Sequence, residues 1–393
     1  MATKELKNSE GAAELGGWLI LFISGLLCLG ALMVFSAGAS IDQQIDLKHF
    51  WRYSTLRRVA FVPVVWLVLA VVSRCNYRRW LINERQFWLS PVVFLMGLSI
   101  ALLVLVLIPG IGTEVNYSRR WLVLGAGESG LRFQPSELAK WVTVMFLAVY
   151  CTQRGGHIRE FRRGFAPACA VLMLVVALIG KEDFGTAVLI GACGVMVMLV
   201  GGVRVWYLLV LVPVVAVAFY VLVYSDPTRW NRIIAFLESD SQAQSGAYQA
   251  RQSIMAIGAG GLWGVGLGQG KIKLGWLPED TTDFIFAVIG EELGFAGCAL
   301  VVGLFIGIIV CTMLIIRRTN NPAGKLLGAA IGGTIGAQAL MNLLVVTGLA
   351  PTKGIALPFV SAGGSGLVMT AMAAGVLVNI ARNNIDASVK SSD

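Results

Sequence analysis

Residues 276–294 read WLPEDTTDFIFAVIGEELG and hold the carboxylates Glu279, Asp280, Asp283, Glu291 and Glu292, in a chain that is only 13% charged. A carboxylate beside an apolar run suits general-base work, because it can take a proton from a hydroxyl in a site that excludes water. Asp283 opens such a run. If a helix continues from it at about 100° per residue, Ala287, Gly290, Gly294 and Gly297 share its face, and their small side chains allow a helix or ligand to come close. Glu291 and Glu292 point elsewhere, about two turns further in. A helix N-terminus also welcomes a carboxylate, so Asp283 is either a cap or a working acid. Glu291 and Glu292 either pair structurally or act directly, since ionisable groups at membrane depth are costly.

Four other stretches carry matching charge. QPSELAKW (134–141) sets Pro135 at a helix start and Glu137 three residues before Lys140, close enough to pair on one face. Lys140 is then either half of an ion pair or a cation offered to an anionic ligand. SRRW (118–121) joins Arg119 and Arg120, suited to bidentate phosphate contacts, to Trp121, which suits a sugar face or the membrane interface. The same arginines would serve lipid headgroups. KEDFG (181–185) puts Asp183 in a tight turn, and PTKG (351–354) contributes Lys353. SAGGSG (361–366) offers backbone N–H groups to an anion, or is a plain turn. GAGGLWGVGLGQG (258–270) imitates a dinucleotide fingerprint without the strand and helix that would give it meaning. The pairs Gly303/Gly307 and Gly332/Gly336 read as close helix packing. The 7 cysteines sit in or beside apolar runs without a CxxC, as small buried side chains rather than a disulfide framework or zinc site.

The elements that must hold these residues are membrane helices. The chain is 57% hydrophobic with a mean hydropathy of +0.77, outside the range of soluble domains. Apolar runs at about 17–38, 58–73, 87–108, 135–151, 165–180, 184–202, 205–224, 284–316, 325–349 and 362–381 predict an all-α fold with ten transmembrane helices. The polar lead 1–16 is not a cleavable signal, and its apolar run is long enough to span. Basic loops at Arg74–Arg85, Arg154–Arg163 and Arg317–Lys325 place both termini in the cytoplasm by the positive-inside rule. The same topology also leaves basic residues outside, which then need a purpose. A single domain over 17–382 is expected, with a large extracytoplasmic loop at about 225–283 between helices 7 and 8, folded against the membrane, and a tail at 383–393. Nucleic acid is not expected as a partner; with this topology the net charge of +9 falls on the cytoplasmic side.

The motifs PGIGTEVNYSRRWLVLG, FQPSELAK, EDFGTAVL, LGQGKIKLGWLPEDTTDFIFAVIGEELG and PTKGIALPFVSAGGSG, in that order, resemble those of the SEDS family. These are membrane peptidoglycan polymerases typified by FtsW, RodA and SpoVE, and the PTKG and PGIG…RRW segments look most like the division type. The resemblance covers about 17–382. It implies polymerisation of lipid II into glycan strands at the outer face of the bacterial cytoplasmic membrane, at the division septum. The essential acid of the family's TDF motif maps onto Asp283. The outer Trp maps onto Trp121, the fourth-span pair onto Glu137 and Lys140, and the remaining acids onto Asp183 and Glu279. Three departures stand out: KED for QPD, Tyr117 where Gly is common, and SAGGSG for SYGGSS.

The chemistry that fits is inverting transfer. Asp283 takes a proton from the attacking sugar hydroxyl, and undecaprenyl diphosphate leaves from the opposite face. Arg119, Arg120, Lys140 and Lys353 stabilise the diphosphate. A divalent cation (Mg or Mn) would serve there too, although no metal-ligand spacing marks a site. The expected partners are lipid II, a monofunctional class B penicillin-binding protein and other division-complex proteins. Two readings compete: a lipid II flippase using Lys140, Glu137 and Glu291 as a pathway, and an elongation-type, RodA-like polymerase.

Overall fold

The computed structural model describes residues 2–38, 54–81, 86–115, 118–124, 131–224, 229–232, 234, 245–271 and 281–389. Each predicted apolar run lies on a helix. These are α1 (Ala2–Gly38), α2 (Ser54–Arg74), α4 (Pro91–Leu107), α5 (Pro135–Arg154), α6 (Ala166–Gly180), α7 (Phe184–Val200), α8 (Val205–Tyr224), α10 (Ile285–Arg318), α11 (Pro322–Val346) and α12 (Gly364–Val389). Two more intervene, the five-residue α3 (Tyr77–Leu81) and α9 (Ser245–Gly260). Among the described residues, α1, α10, α11, α12 and the stretch Phe161–Gly180 are long and apolar enough to cross a membrane, and α2, α4, α7 and α8 contribute shorter apolar stretches.

The bundle is organised around α5, which is buried on every side from Ala139 to Cys151. A helix enclosed all round belongs in a core, not at a lipid surface. It packs on α4, α7, α11 and α12, while α1 and α2 close the other flank of α12. Glycines permit the closest approaches. A side chain at Gly332 or Gly336 would meet Thr312 or Ile309 of α10, and one at Gly307 would meet Phe22 of α1. Among the described residues, a side chain at Gly303 would meet nothing within 4 Å, so of the 303/307 pair it is Gly307 that serves packing there.

The all-α expectation needs one amendment. The segment between α4 and α5 forms a small antiparallel sheet of β1 (Thr113–Val115), β2 (Ser118–Leu124) and β3 (Leu131–Phe133), in the order β1-β2-β3. Its strands have the β-branched and alternating residues that suit a half-buried ladder. The central strand carries Arg119, Arg120 and Trp121.

The expected continuous helix from Asp283 is also amended. Helix α10 starts at Ile285 and is broken at Gly294, which has φ of +65°. The shared face therefore ends at the break, and Gly297 belongs to a different helical segment. The turn after α9 fills the gap: Val265 N donates to Glu291 O at 3.0 Å, Gly266 N to Glu292 O at 3.1 Å, Phe295 N to Gly261 O at 2.9 Å and Ala296 N to Leu262 O at 3.1 Å. A Cβ on Gly294 would meet the backbone nitrogen of Gly264. The glycine-rich stretch is thus a splint for a broken helix.

Candidate active site

Asp283 sits in the turn leading into α10. Its backbone carbonyl accepts from Asn342 Nδ2 at 2.7 Å, and the same amide nitrogen donates to Ile355 O at 2.7 Å. One turn earlier on α11, Gln338 Nε2 donates to Ala356 O at 2.8 Å. Two amides four residues apart therefore grip the Asp283 turn and the loop after α11 together. Ala362 N adds a bond to Thr281 O at 3.1 Å. The grip brings the Asp283 carboxylate to Gly354, where a Cβ would stand 3.1 Å from Oδ2. A side chain there would crowd the acid, which gives PTKG a reason for its glycine.

Lys353 is the neighbour of Gly354. Its Nζ lies 5.2 Å from the centre of the Phe184 ring, which also carries Arg229 at 5.6 Å on a cation–π contact. Burial holds the Lys353 ammonium below the ordinary lysine range. Arg229 itself donates to Gly180 O at 3.2 Å and to Lys181 O, fixing the turn between α6 and α7.

Asp183 occupies that turn and caps α7. It accepts from Thr186 N at 3.1 Å and Thr186 Oγ1 at 2.9 Å, which satisfies a helix-end donor in the usual way. It also accepts from Gln134 Nε2 at 3.4 Å and faces Arg120 Nη1 at 3.8 Å. Beside it, Glu182 Oε2 accepts from Arg119 N at 2.7 Å, so both carboxylates of KED tie the sheet to the bundle. The Arg119 side chain reaches Glu114 at 3.4 Å in an open setting, where a pair contributes little. Trp121 stands half-buried opposite Thr113 in the sheet.

Lys140 is buried and bonded to Glu137 at 2.7 Å and to Gln338 Oε1 at 2.8 Å. Glu137 in turn lies against Gly366 at the start of α12, where a Cβ would stand 3.0 Å from Oε2. The chain Glu137–Lys140–Gln338–Asn342 thus runs beneath the Asp283 turn, α11 supplying the last two.

The structure accordingly gathers Asp283, Lys353, Asp183, Arg120, Glu137 and Lys140 at one end of the bundle, with Arg119 and Trp121 on the adjoining sheet. Glu279 lies outside the described residues. Among the described residues, buried atoms without a hydrogen-bond partner include Arg120 Nε, Asn342 Oδ1 and Thr352 Oγ1, all on residues of this assembly. Such atoms are uncommon in folded proteins and mark places where water or a polar ligand completes the bonding. Among the described residues, no three His, Cys, Asp or Glu side chains are grouped to hold a metal ion. Sequence reading missed Gln338 and Asn342. Their signal was present as two amides one turn apart inside an apolar span, where polar groups are rarely idle.

Glu291 and Glu292 belong elsewhere. Glu291 Oε1 accepts from Lys271 N at 2.8 Å and Glu292 Oε2 from Ser36 Oγ at 2.6 Å. Both are buried against Gly270.

Known proteins resemble the chain over nearly its whole length. The profile of the FtsW/RodA/SpoVE family, described as "Cell cycle protein", matches residues 17–385. The protein from Trichlorobacter lovleyi named "Probable peptidoglycan glycosyltransferase FtsW" is 38% identical over 377 residues, covering 95% of each chain. Its namesake from Coxiella burnetii is 37% identical, covering 95% of this chain and 98% of its own. Among solved structures, a chain from "Structural coordination of polymerization and crosslinking by a peptidoglycan synthase complex" superposes with a TM-score of 0.73 at 26% identity, covering 93% of this chain and 97% of that one. RodA of Thermus thermophilus gives 0.65 at 25% identity, covering 93% of this chain and 96% of its own. A match that spans the bundle from α1 to α12, with every gathered residue inside it, leaves no other assignment: the chain belongs to the FtsW/RodA/SpoVE family.

Proposed function

We propose that the protein is a peptidoglycan glycosyltransferase that polymerises lipid II at the outer face of the cytoplasmic membrane for septal wall synthesis. The observation that carries the site assignment is the Asp283 carboxylate standing against Gly354, one residue from Lys353, on a turn gripped by Asn342. The family's membrane setting, the relatives' names and the ten apolar helices support a ten-span topology. In it both termini are cytoplasmic, and the loop before α10 lies outside. The domain is then one unit over 17–382 between a short lead and a short tail.

In the reaction, Asp283 takes the proton of the acceptor sugar's hydroxyl as the oxygen bonds to the anomeric carbon of the donor. The bond from that carbon to the diphosphate oxygen breaks, its electron pair leaves with undecaprenyl diphosphate, and α becomes β. Attack and departure on opposite faces require only one base, because the leaving group already bears its charge. Lys353, Arg120 and Arg119 supply positive potential for the diphosphate, and Trp121 a surface for a sugar ring. Lys140 and Glu137 act from beneath, through Gln338 and the loop it holds. Asp183 keeps α7 and Arg120 in register, and Glu279, outside the described residues, is retained as a substrate-binding acid by its place in the LPE motif. An Mg or Mn ion at the diphosphate would draw its oxygen ligands chiefly from the substrate. The partner in this reading is a class B penicillin-binding protein, in keeping with the synthase-complex structure that this fold resembles.

The test is Asp283→Asn, purified with its transpeptidase partner in detergent and given lipid II. Loss of glycan strands is expected, and strands at the wild-type rate would overturn the assignment. Polymer formed in detergent, with no second compartment to cross, also separates a polymerase from a flippase.

A further inference from the structure

Lys353 differs from the other cations of the site in what holds it. Lys140 is paired with Glu137, Arg119 reaches Glu114, and Arg120 faces Asp183. Among the described residues, no carboxylate comes within ion-pairing distance of the Lys353 ammonium, and burial alone shifts its ionisation. Its partner is an aromatic ring, that of Phe184.

Two consecutive residues of α7 clasp the lysine. Phe184 sets its ring centre 5.2 Å from Nζ, while a Cβ on Gly185 would stand 3.5 Å from Lys353 Cβ and 3.4 Å from Ile355 Cγ1. The lysine stem thus lies directly against the start of the helix. Each side of the clasp is fixed independently. Asp183 caps α7 through Thr186 N, and Asn342 Nδ2 holds Ile355 O. Phe219 of α8 packs on the Phe184 ring, with centres 5.4 Å apart and planes at 59°.

The choice of a ring has a chemical consequence. A carboxylate beside a buried ammonium cancels its charge, whereas the face of a ring stabilises the cation and adds no net charge. The other charged groups around the clasp are engaged elsewhere. Arg229, 5.6 Å from the same ring, donates to Gly180 O and Lys181 O, where the terminal carbonyls of α6 receive its charge. Glu182 accepts from Arg119 N, Asp183 bonds Thr186, and the Lys181 side chain is exposed. Asp283 rests on Gly354, next along the chain from the lysine.

We propose that Phe184 is a positioning residue, whose ring holds the Lys353 ammonium beside the Asp283 turn without neutralising it and so leaves its charge for a diphosphate. The bearing of this hold on catalysis rests on the diphosphate role given to Lys353 above.

The test replaces Phe184 by nonsense suppression with its difluoro and trifluoro analogues, which keep the shape of the ring and progressively weaken its negative face. Two readouts are taken on the full chain with its transpeptidase partner in detergent. One is the pH at which the Lys353 amine is half-reactive toward a trace acylating reagent, followed by mass spectrometry. The other is the pH profile of kcat/KM with lipid II. A weaker ring stabilises the ammonium less, so the half-reaction pH should fall stepwise, by about half a unit to one unit in all. The alkaline limb of kcat/KM should fall with it, at an unchanged melting temperature. A half-reaction pH that stays at its native value would overturn the inference, whatever happens to the rate. If that pH falls while the alkaline limb stays in place, the hold stands and the diphosphate role of Lys353 is what fails. Where the analogues give too little protein, Phe184→Leu and Phe184→Tyr make the same comparison: Tyr should keep the native half-reaction pH and rate, and Leu should lower both. Equal behaviour of Leu and Tyr would leave the ring only a space-filling part and overturn the inference.

Discussion

Asp283 and the pair Glu291/Glu292 lie on one short stretch of chain and meet opposite environments. Asp283 is part-buried, its backbone held by an α11 amide while its carboxylate rests on a glycine that keeps the neighbourhood open. Glu291 and Glu292 are enclosed, bonded to Lys271 N and Ser36 Oγ, and sit where the helix has lost its own ladder. The Asp283 backbone is bonded across to α11, which fixes the turn that carries the acid, whereas the Glu291 and Glu292 carboxylates themselves bond Lys271 N and Ser36 Oγ and tie neighbouring elements together. A count of acids along the sequence cannot express that difference.

The sharpest way to break this contrast is Asp283→Asn. It keeps shape and the bond to Asn342, so the melting temperature in detergent should hold while polymer formation drops by about 10²–10⁴, the usual worth of a general base. A fall in melting temperature as large as the fall in rate would put Asp283 on the structural side. Next is Asn342→Leu, which frees both the Asp283 turn and the Ile355 loop. Turnover should fall about 10- to 100-fold, since small misplacements of a reacting group cost that much, with a smaller change in KM. Loss confined to KM would contradict a role in aligning the acid. Glu292→Ala should show the reverse of Asp283→Asn. Removing the Ser36–Glu292 bond and leaving a gap in the α1–α10 contact should cost about 1–3 kcal/mol of stability, read as a lower melting temperature, while the folded fraction keeps its rate per molecule. The smallest effect concerns Lys353. Because burial lowers its pKa, its cation is lost below the ordinary lysine range, and kcat/KM should decline as pH rises through that value. Lys353→Arg keeps the charge and should move the alkaline limb upward; an unmoved limb would remove Lys353 from diphosphate binding.

Much of this was legible beforehand because lipid imposes strict rules. The apolar runs had to be helices, and their approximate ends followed from length and punctuation. Asp283, Lys353 and the Glu137–Lys140 pair stood out as charges against a silent background. What stayed hidden depends on long-range partners. No local pattern says that Lys140 will meet Gln338, or that the Asp283 carbonyl will meet Asn342, 59 residues apart in sequence. The sheet carrying Arg119 to Trp121 was short enough to pass for loop. The glycine-rich stretch at 258–270 found its meaning only beside Gly294, a residue whose positive φ no sequence window reports.

The break at Gly294 has a mechanical consequence. A continuous helix of 34 residues would act as a stiff rod, carrying any tilt or rotation of its membrane half straight to the acid at its head. Interrupted at Gly294, α10 is two helical pieces joined by the turn after α9. A tilt or rotation of the lower half therefore reaches the upper piece through the four bonds of that turn, not through a helical ladder, while α11 fixes the acid's turn independently through Asn342.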